Sequence, residues 1–500
     1  MIYDAIIIGA GHNGLVTAIV LADAGWKVLI LEAQPRPGGC VQTAEATLPG
    51  FRHDLYATNL NGFAGSAFME KFGADLKRHG FEFIRAGKGF GSIFPDGVFI
   101  GVSTSKEETE SSIAQVSSDD AKAWAKLSGR YRRTAPHVAG LLRAPMPSWA
   151  ALAPALRSSF SAFGLIFGSA ESFVRRHFTH PKIMALWASW AMHLDFAPKT
   201  AGGALYPFVQ CMLVQDKGLQ IGKGGARSMI DALVALFLEK GGELRCSTRV
   251  DEVTTNGRVA TGVVTNNQQI EAKHAVIANL TPKGLIDKVK DVPSHLRAKV
   301  QRYRYGPGTM MIHLGLSELP AWINPSAREY FYVHIAPSLE AMSRAYAEAQ
   351  DGVLPDQPVL IVAQPTVVDP ARAPEGRHIL SIQVRVVPSG VDWDAVKEDY
   401  ADHLIELLES YAPGLRKQIL GRHVMSPADL ERVNPNLVGG DNLAGSHHLS
   451  QQFIFRPFLG WSRYRTPFSR LHLCGASTWP GAGVGGASGW ILGHLLLTER

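Results

Sequence analysis

The sequence predicts an α/β fold in which a parallel sheet covered by helices on both faces is interleaved with a second domain of mixed sheet and helix. The chain opens with a short apolar strand, a glycine-rich turn, a helix and a second apolar strand. Glycine-rich turns beside apolar strands return near residue 222 and near residue 475, after long stretches of different composition. We therefore expect the parallel domain to be assembled from segments that lie far apart in the chain.

The composition excludes several classes of protein. Of the 500 residues, 46% are hydrophobic and 19% are charged, whereas an ordinary globular protein has roughly 25% charged residues. This balance excludes a disordered chain and indicates large buried cores or contact with an apolar partner. The net charge of +6 is small for this length and is spread along the chain, so nucleic-acid binding is not expected.

The cysteines and the apolar segments indicate the cell compartment of the protein. The four cysteines lie far apart without a C-x-x-C pair, which argues against a disulfide scaffold, a metal site and a dithiol redox centre. We expect a reducing compartment and therefore a cytoplasmic protein. The first residues run straight into an apolar strand, so no cleavable leader is expected. No apolar stretch reaches the about 18–20 residues that cross a bilayer, although peripheral membrane contact stays open.

The first unit of the parallel domain carries a nucleotide-binding motif. Ala5–Ile8 and Val28–Leu31 are apolar runs typical of buried parallel strands, and helical periodicity lies between them. After the first strand stands G-x-G-x-x-G, formed by Gly9, Ala10, Gly11, His12, Asn13 and Gly14. In this context the glycines permit a tight turn, close approach of the backbone to a pyrophosphate and close packing of helix on strand. The helix N-terminus then faces the phosphates.

The residues that follow this unit favour FAD over NAD. Glu32 lies at the end of the second strand, where a carboxylate can accept hydrogen bonds from ribose hydroxyls. Arg36, Gly38 and Gly39 come directly after it and bring a cation and flexible backbone near a second phosphate. Farther along, Gly475 and the glycine-rich loop over 480–486 join a buried strand to the last helix, which suits the ribityl chain and ring edge of a flavin.

The same patterns divide the chain into a Rossmann-like FAD-binding domain over 1–65, 222–300 and 440–500 and an interleaved substrate domain over 66–221 and 301–439. Residues 50–65 are predicted as a loop or extended segment. Predicted helices are Asp119–Arg133, Ser172–His177, Pro181–Leu194, Ser228–Glu239, Trp393–Tyr411 and the segment after Gly486. Further predicted strands are Glu243–Val250, Val259–Asn266, Ala275–Ala278, Tyr303–Leu314, Tyr330–His334, Val359–Gln364, His378–Val387 and Leu471–Cys474.

The chain resembles, nearly from end to end, the phytoene-dehydrogenase-like FAD flavoproteins, the family of carotenoid desaturases and retinol saturase, and its two ends carry the specific motifs. The resemblance rests on Asp4–Thr43, Gly50–Thr58, Gly224-Gly225 and the run from Tyr464 to Thr478. It implies that Asp54–Asn59 passes near the flavin ring, and that FAD contacts Gly11, Glu32, Arg36, Gly39, Val250, Gly475, Gly483 and Val484. Relatives often carry His-Pro-Gly-Gly where this chain has Trp479-Pro480-Gly481-Ala482. The catalytic residue is therefore left unassigned.

This resemblance implies an FAD-dependent oxidoreductase of the desaturase type, which moves a hydride between an apolar small-molecule substrate and flavin N5. Tyr56 and Trp479 are expected on the two sides of the substrate face. The alternatives are a flavin amine oxidase, a saturase or isomerase that starts from reduced flavin, and a non-catalytic flavoprotein subunit. The substrate, the electron acceptor and the oligomeric state do not follow from the sequence.

Several other residues admit two interpretations. His177 and His180 are spaced for one helix face, but surface histidines are favoured over a metal site because no third ligand is evident. His447-His448 is predicted as a loop pair. A cluster of bulky side chains is predicted either as plain core, which is favoured, or as the lining of an apolar tunnel; its members are Met184, Trp187, Trp190 and Met192.

Overall fold

The computed structural model describes residues 2–149 and 160–499, and it confirms the α/β fold. Within these residues the strands form two seven-stranded sheets and two short two-stranded ones. The strands are β1 Ile2–Ile8, β2 Val28–Leu31, β3 Thr43–Ala44, β4 His53–Asp54, β5 Phe83–Ala86, β6 Lys88–Ile93, β7 Phe99–Ser103, β8 Leu219–Gly222, β9 Glu243–Arg245, β10 Glu252–Asn256, β11 Val259–Thr265, β12 Gln268–Ala278, β13 Gly308–Leu316, β14 Tyr332–Ile335, β15 Val359–Ala363, β16 His378–Val387, β17 Ile419–Met425 and β18 Leu471–Leu473.

Helices connect these strands and cover the sheets. They are α1 His12–Asp23, α2 Asn61–Ala64, α3 Ala67–Arg78, α4 Lys106–Ala114, α5 Ser118–Leu142, α6 Phe160–Phe167, α7 Ala170–His177, α8 Pro181–Ala188, α9 Leu205–Lys217, α10 Arg227–Glu239, α11 Pro282–Ile286, α12 Ser294–Gln301, α13 Leu339–Gln350, α14 Trp393–Glu409, α15 Leu415–Gln418, α16 Pro427–Val433 and α17 Ala487–Thr498. None of the described helices is both long and apolar enough to cross a membrane.

The first sheet is parallel in the part that the sequence predicts, while the pairings of β11 with β12 and of β10 with β11 are antiparallel. Strand β1 pairs in parallel with β2 and β12, and β9 and β18 extend the sheet on the two sides, also in parallel. Because side chains alternate along a strand, Ala5 and Ile7 pack against α1 and α10, whereas Ile6 and Ile8 pack into a separate core on the opposite face. Both faces of β1 are therefore buried.

The second sheet has the strand order β17-β13-β16-β15-β14-β6-β7 and is antiparallel except where β14 pairs with β6. One face packs against α14 through Trp393, Leu404 and Leu408. The other face packs against a helical layer that contains Trp124 and Trp187 and reaches toward the first domain. This layer and the two sheets are the frame of the functional site.

Helix α3 differs from the predicted domain division. The sequence places residues 66–221 in the second domain, but Phe68, Phe72 and Leu76 of α3 are buried in the core of the first. Their spacing of four residues puts them on one helix face, which packs against α10 and α17. The pattern was visible in the sequence, but it does not indicate which domain supplies the partner.

Several elements of the structure also differ from the prediction in their bounds or in their type. Strands β6, β7 and β17 were not predicted, and the predicted helix over 181–194 becomes a 3-10 helix from Ser189 to His193. The strand predicted over 243–250 ends at Arg245, because Ser247 has a positive φ of 48° and the next residue donates a backbone hydrogen bond to Glu32. That segment therefore leaves the sheet for the end of β2.

A fully buried arginine joins the two domains. Arg372 of the second domain donates from Nη1 to Asp54 Oδ2 of the first at 2.7 Å and from Nε to Asp369 Oδ2 at 3.2 Å. Its Nη2 donates to the Gly222 carbonyl at 2.9 Å, and Asp369 accepts from the Gly224 N–H at 2.7 Å. Burial would lower the pKa of Arg372, but the two carboxylates raise it overall. We call these residues the interdomain ion cluster.

Removing this cation should destabilise the protein strongly. Arg372→Met leaves Asp54 and Asp369 buried without a counterion, so we expect a loss of about 3–5 kcal/mol in the free energy of unfolding, measured by urea denaturation. Arg78→Met, which breaks an exposed pair with Glu239, is the control and should leave the midpoint close to that of the wild type. An equally small effect of both substitutions would contradict the account.

Candidate functional site

One large cavity lies where the two domains meet. Its volume is about 1690 Å³, and we call it the central cavity. The first domain lines it with glycine-rich loops and strand ends, whereas the second domain lines it with side chains from α5, α9 and the second sheet. The predicted residues that line it are Gly9, Gly11, Asn13, Glu32, Arg36, Gly39, Tyr56, Val250, Gly475, Gly483 and Val484.

The first glycine loop brings bare backbone to the cavity wall. Gly9 has a positive φ of 95°, and helix α1 begins at His12, directly after Gly11, whose backbone lines the cavity. A Cβ at Gly11 would lie 2.9 Å from Asn279 Nδ2, and one at Gly14 would lie 2.5 Å from the Gly9 carbonyl. Gly14 therefore allows helix and strand to pack closely, as predicted, but it does not itself line the cavity.

Glu32 is held at the cavity by the backbone around it. Its Oε2 accepts from the Ala10 N–H at 2.7 Å, and its Oε1 accepts from the Gln34 N–H at 2.9 Å. Ala10 is thus a support for Glu32 and does not line the cavity. An ionised carboxylate has about four acceptor sites, so two remain for hydroxyl groups of a ligand. The predicted interaction with a ribose is compatible with these contacts.

The segment after Glu32 folds back onto the first loop. Gly38 donates its N–H to the Ala10 carbonyl at 3.0 Å, and its positive φ of 130° favours glycine. A Cβ there would lie 2.7 Å from the Val41 carbonyl, so Gly38 shapes the turn while Gly39 and the exposed Arg36 line the cavity. The predicted cation therefore stands at the rim of the cavity.

The second glycine loop lies beside the first, because helix α17, which follows it, packs directly on α1. At Gly483, with a φ of 122°, no atom lies within 4 Å of where a Cβ would stand, so the backbone is open to the cavity. Helix α17 begins at Ala487, and its first residues line the cavity with their unpaired N–H groups. Gly475, which anchors the start of this loop, donates its N–H to Ser488 Oγ at 2.9 Å.

Two histidines that the sequence did not assign to the site lie between these loops. His12 Nε2 accepts from Asn13 Nδ2 at 3.0 Å, and burial lowers the pKa of His12 to about 4. His447 Nε2 accepts from the Ala482 N–H at 3.0 Å, and burial together with Arg456 holds its pKa well below the usual value. Both imidazoles are therefore neutral at pH 7. His447 lies in a loop, as predicted, and its ring also accepts a hydrogen bond from the second glycine loop.

The two predicted aromatic residues take different places. Tyr56 lines the central cavity together with the rest of the segment from Leu55 to Asn59. Trp479 is 2% exposed and does not line the cavity. Its Nε1 donates to the Ala144 carbonyl at 3.0 Å, and its ring centre lies 5.6 Å from that of Phe453. The structure therefore favours a packing role for Trp479 and leaves Tyr56 as a lining residue.

The other bulky residues singled out in the sequence also divide into cavity-lining and core residues. Trp190 lines the cavity, whereas Trp187, Met184 and Met192 pack in the helical core. The His177 ring stacks on Phe173 with centres 4.3 Å apart. Among residues 2–149 and 160–499, no group of three or more His, Cys, Asp or Glu side chains is arranged to hold a metal ion.

The chain is similar to known flavoproteins over almost its whole length. A family model described as flavin containing amine oxidoreductase matches residues 14–489. Pyridine nucleotide-disulfide oxidoreductase domain-containing protein 2 of Rattus norvegicus is 26% identical over 99% of this chain and 94% of its own length. The lycopene-forming phytoene desaturase of Pantoea ananas is 24% identical over 97% of this chain and 96% of its own. An oxidoreductase structure from Methanosarcina mazei shares the fold, with a TM-score of 0.66, 18% identity and 100% coverage of both chains.

These similarities confirm the predicted resemblance to phytoene-dehydrogenase-like flavoproteins and identify FAD as the cofactor of an oxidoreductase. The cavity fits that cofactor, because bare glycine backbone and the neighbouring N-termini of α1 and α17 line it while Glu32 offers free acceptor sites. The chain therefore belongs to the flavin containing amine oxidoreductase family.

Proposed function

We propose that this FAD-dependent oxidoreductase acts in the desaturase manner on an apolar small molecule. The observation that carries the proposal is the central cavity, whose 1690 Å³ exceed the about 300–1,000 Å³ of an ordinary ligand pocket. A cavity of this size has room for a second molecule beside the cofactor. When bound, FAD supplies a hydride acceptor at N5.

The first domain would hold the cofactor largely through its backbone. Gly11 and the N-terminus of α1 would receive the pyrophosphate, and Glu32 would accept from the ribose hydroxyls. Arg36 and Gly39 would lie near the same end of the cofactor. The remaining proposed contacts are Val250, Gly475, Gly483 and Val484, all of which line the cavity.

The second domain would hold the substrate. Its side of the cavity presents mostly apolar side chains, and Tyr56 of the first domain adds an aromatic ring. The apolar lining includes Val138, Ala139, Leu142, Trp190, Leu194, Leu205, Val209 and Leu213. Such a wall would exclude water and pack against an apolar chain. The phytoene desaturase relative supports this assignment.

An amine oxidase is the main alternative, because the family carries that description. One observation disfavours it: Arg385 lines the cavity and is only 4% exposed. A buried cation repels a protonated amine in a low-dielectric site. A saturase or isomerase would use the same walls and would differ in starting from reduced flavin, and a non-catalytic subunit would bind FAD without turnover.

The proposed reaction can be tested by the half-reaction of the flavin. Anaerobic mixing of the FAD-loaded protein with polyenes or long alkenes should bleach the flavin absorbance at a rate that saturates with substrate. Aliphatic amines of matched chain length should leave the flavin oxidised, because Arg385 repels their charge. Saturable bleaching by the amines alone would establish the amine oxidase instead.

The ribose assignment predicts a defect in cofactor binding. Glu32→Arg removes the free acceptor sites and the bonds to Ala10 and Gln34, so FAD affinity should fall by at least about tenfold, measured by fluorescence titration of the apoprotein. Glu45→Arg makes the same charge change at an exposed residue of the same segment and should bind FAD as the wild type does. Equal affinity of the two variants would show that Glu32 does not hold the ribose.

Direct reduction by a nicotinamide cofactor should be slow. The sequence holds one complete G-x-G-x-x-G motif with its acidic residue, and the proposed FAD site uses it. Anaerobic mixing with NADH or NADPH should therefore give slow flavin reduction whose rate rises linearly with concentration. A fast rate that saturates would require a second dinucleotide site.

A further inference from the structure

Arg385 stands on the substrate side of the central cavity. It belongs to strand β16, and Gln383 lies two residues earlier on the same face of that strand. Both side chains line the cavity, as do Tyr206 and Gln210 of the neighbouring helix α9. These four residues form a polar patch in a wall that is otherwise mostly apolar. We call them the Arg385 patch.

The guanidinium of Arg385 has only neutral partners. Nε donates to the Met192 carbonyl at 3.1 Å, Nη1 to Thr309 Oγ1 at 3.2 Å, and Nη2 to the His193 carbonyl. These bonds use three of the five N–H groups and leave one on each terminal nitrogen. No carboxylate of the described residues forms an ion pair with Arg385, which is 4% exposed. The cation is thus buried without a counterion.

The two nearest acidic groups are already satisfied by the chain. Asp441 accepts from three backbone N–H groups, those of Gly306, Leu443 and Gly445. Asp195 accepts from the His447 N–H at 2.9 Å and from the Ser446 hydroxyl. Both carboxylates act on Arg385 only at longer range. The two carboxylates lower the free-energy cost of burying the Arg385 charge, but they do not accept hydrogen bonds from its free N–H groups.

Other buried arginines show the contrast. Arg372 is neutralised by Asp54 and Asp369 in the interdomain ion cluster. Arg456 also lacks a carboxylate, but its nitrogens donate to the carbonyls of Gly445, Ser446 and Ala476, and it does not line the cavity. Among these three residues, only Arg385 is turned to the cavity with donors to spare.

The rest of the Arg385 patch is also uncommitted. The side chains of Tyr206 and Gln383 make no hydrogen bond within residues 2–149 and 160–499, and Gln210 Oε1 is buried without a partner there. Burial raises the pKa of Tyr206 to about 12, so at pH 7 it is a hydroxyl donor. Burial lowers the pKa of Arg385 to about 10, which still leaves it charged. The patch therefore offers a cation and neutral donors together.

We propose that the Arg385 patch binds the carboxylate of an apolar acid that occupies the central cavity. Two guanidinium N–H groups match the two oxygens of a carboxylate, and the Tyr206 hydroxyl can donate a third bond. The apolar wall would cover the rest of the molecule. This inference rests on the proposed function in taking that acid as the substrate, and it adds the group by which the substrate is oriented.

The test measures binding without turnover. The oxidised FAD-loaded protein is titrated with a long-chain fatty acid, the alcohol of equal length and the methyl ester, and the affinities are measured by calorimetry. We expect the wild type to bind the acid at least about tenfold more tightly than the alcohol or the ester. In Arg385→Met this preference should vanish while the affinity for the alcohol stays within about twofold, and Arg385→Lys should restore part of it.

The control is Arg432→Met, which removes a cavity-rim arginine that is already paired with Asp394 and Asp429, and it should keep the preference for the acid. Equal binding of acid and alcohol by the wild type would overturn the proposal whatever the variants do. A preference that survives in Arg385→Met would also overturn it, and so would loss of FAD from that variant, because the cation would then serve the cofactor. An acid that binds in this way without ever bleaching the flavin would instead refute the desaturase reaction and leave the anion site standing.

Discussion

Arg372 has no exposed surface, and its ion pairs with Asp54 and Asp369 tie together segments that lie far apart in the chain and lead to the central cavity. Asp54 ends the short strand β4, from which the lining segment that includes Tyr56 continues. The Gly222 carbonyl and the Gly224 N–H belong to the turn that returns the chain to the parallel sheet. A buried pair of this kind adds little net stability, but it tolerates only one arrangement of its partners. The cluster thus holds the end of β4 against the turn at Gly222–Gly224.

The two sides of the cavity are built by different means. The first domain presents backbone, because Gly11 and Gly483 carry no side chain and helix N-termini line the cavity with their N–H groups. The second domain presents side chains on the face of strand β16 and along helix α9. Backbone geometry suits a cofactor shared by a whole family, whereas side chains can differ from one member to the next. Arg385 lies in the wall built of side chains, and the proposed anion site would let this chain choose one substrate over another.

The sequence predicts best what is local. The βαβ unit with Glu32 was predictable because strand, turn, helix and acid lie within a short stretch and each has its own pattern. The domain to which α3 belongs was not predictable, since its apolar face could pack on either core. Trp479 was misplaced for the same reason: a position beside a glycine loop does not indicate whether the ring turns to the cavity or to Ala144. The sequence does not indicate that Arg385 is buried without a carboxylate partner, because the residues around its guanidinium lie far from it in the chain.

In the proposed arrangement, the cofactor lies against backbone on one side of the cavity, and the buried Arg385 on the other side binds the anionic group of the substrate. A crystal structure of the FAD-bound protein soaked with a long-chain acid tests it most directly. The account predicts a flavin ring in contact with the segment from Leu55 to Asn59 and a carboxylate at about 2.7–2.9 Å from the Arg385 guanidinium, the distance of a charge-assisted hydrogen bond. A flavin whose own oxygen atoms occupy the Arg385 patch, or an acid bound with its carboxylate at the rim and its chain elsewhere, would contradict it.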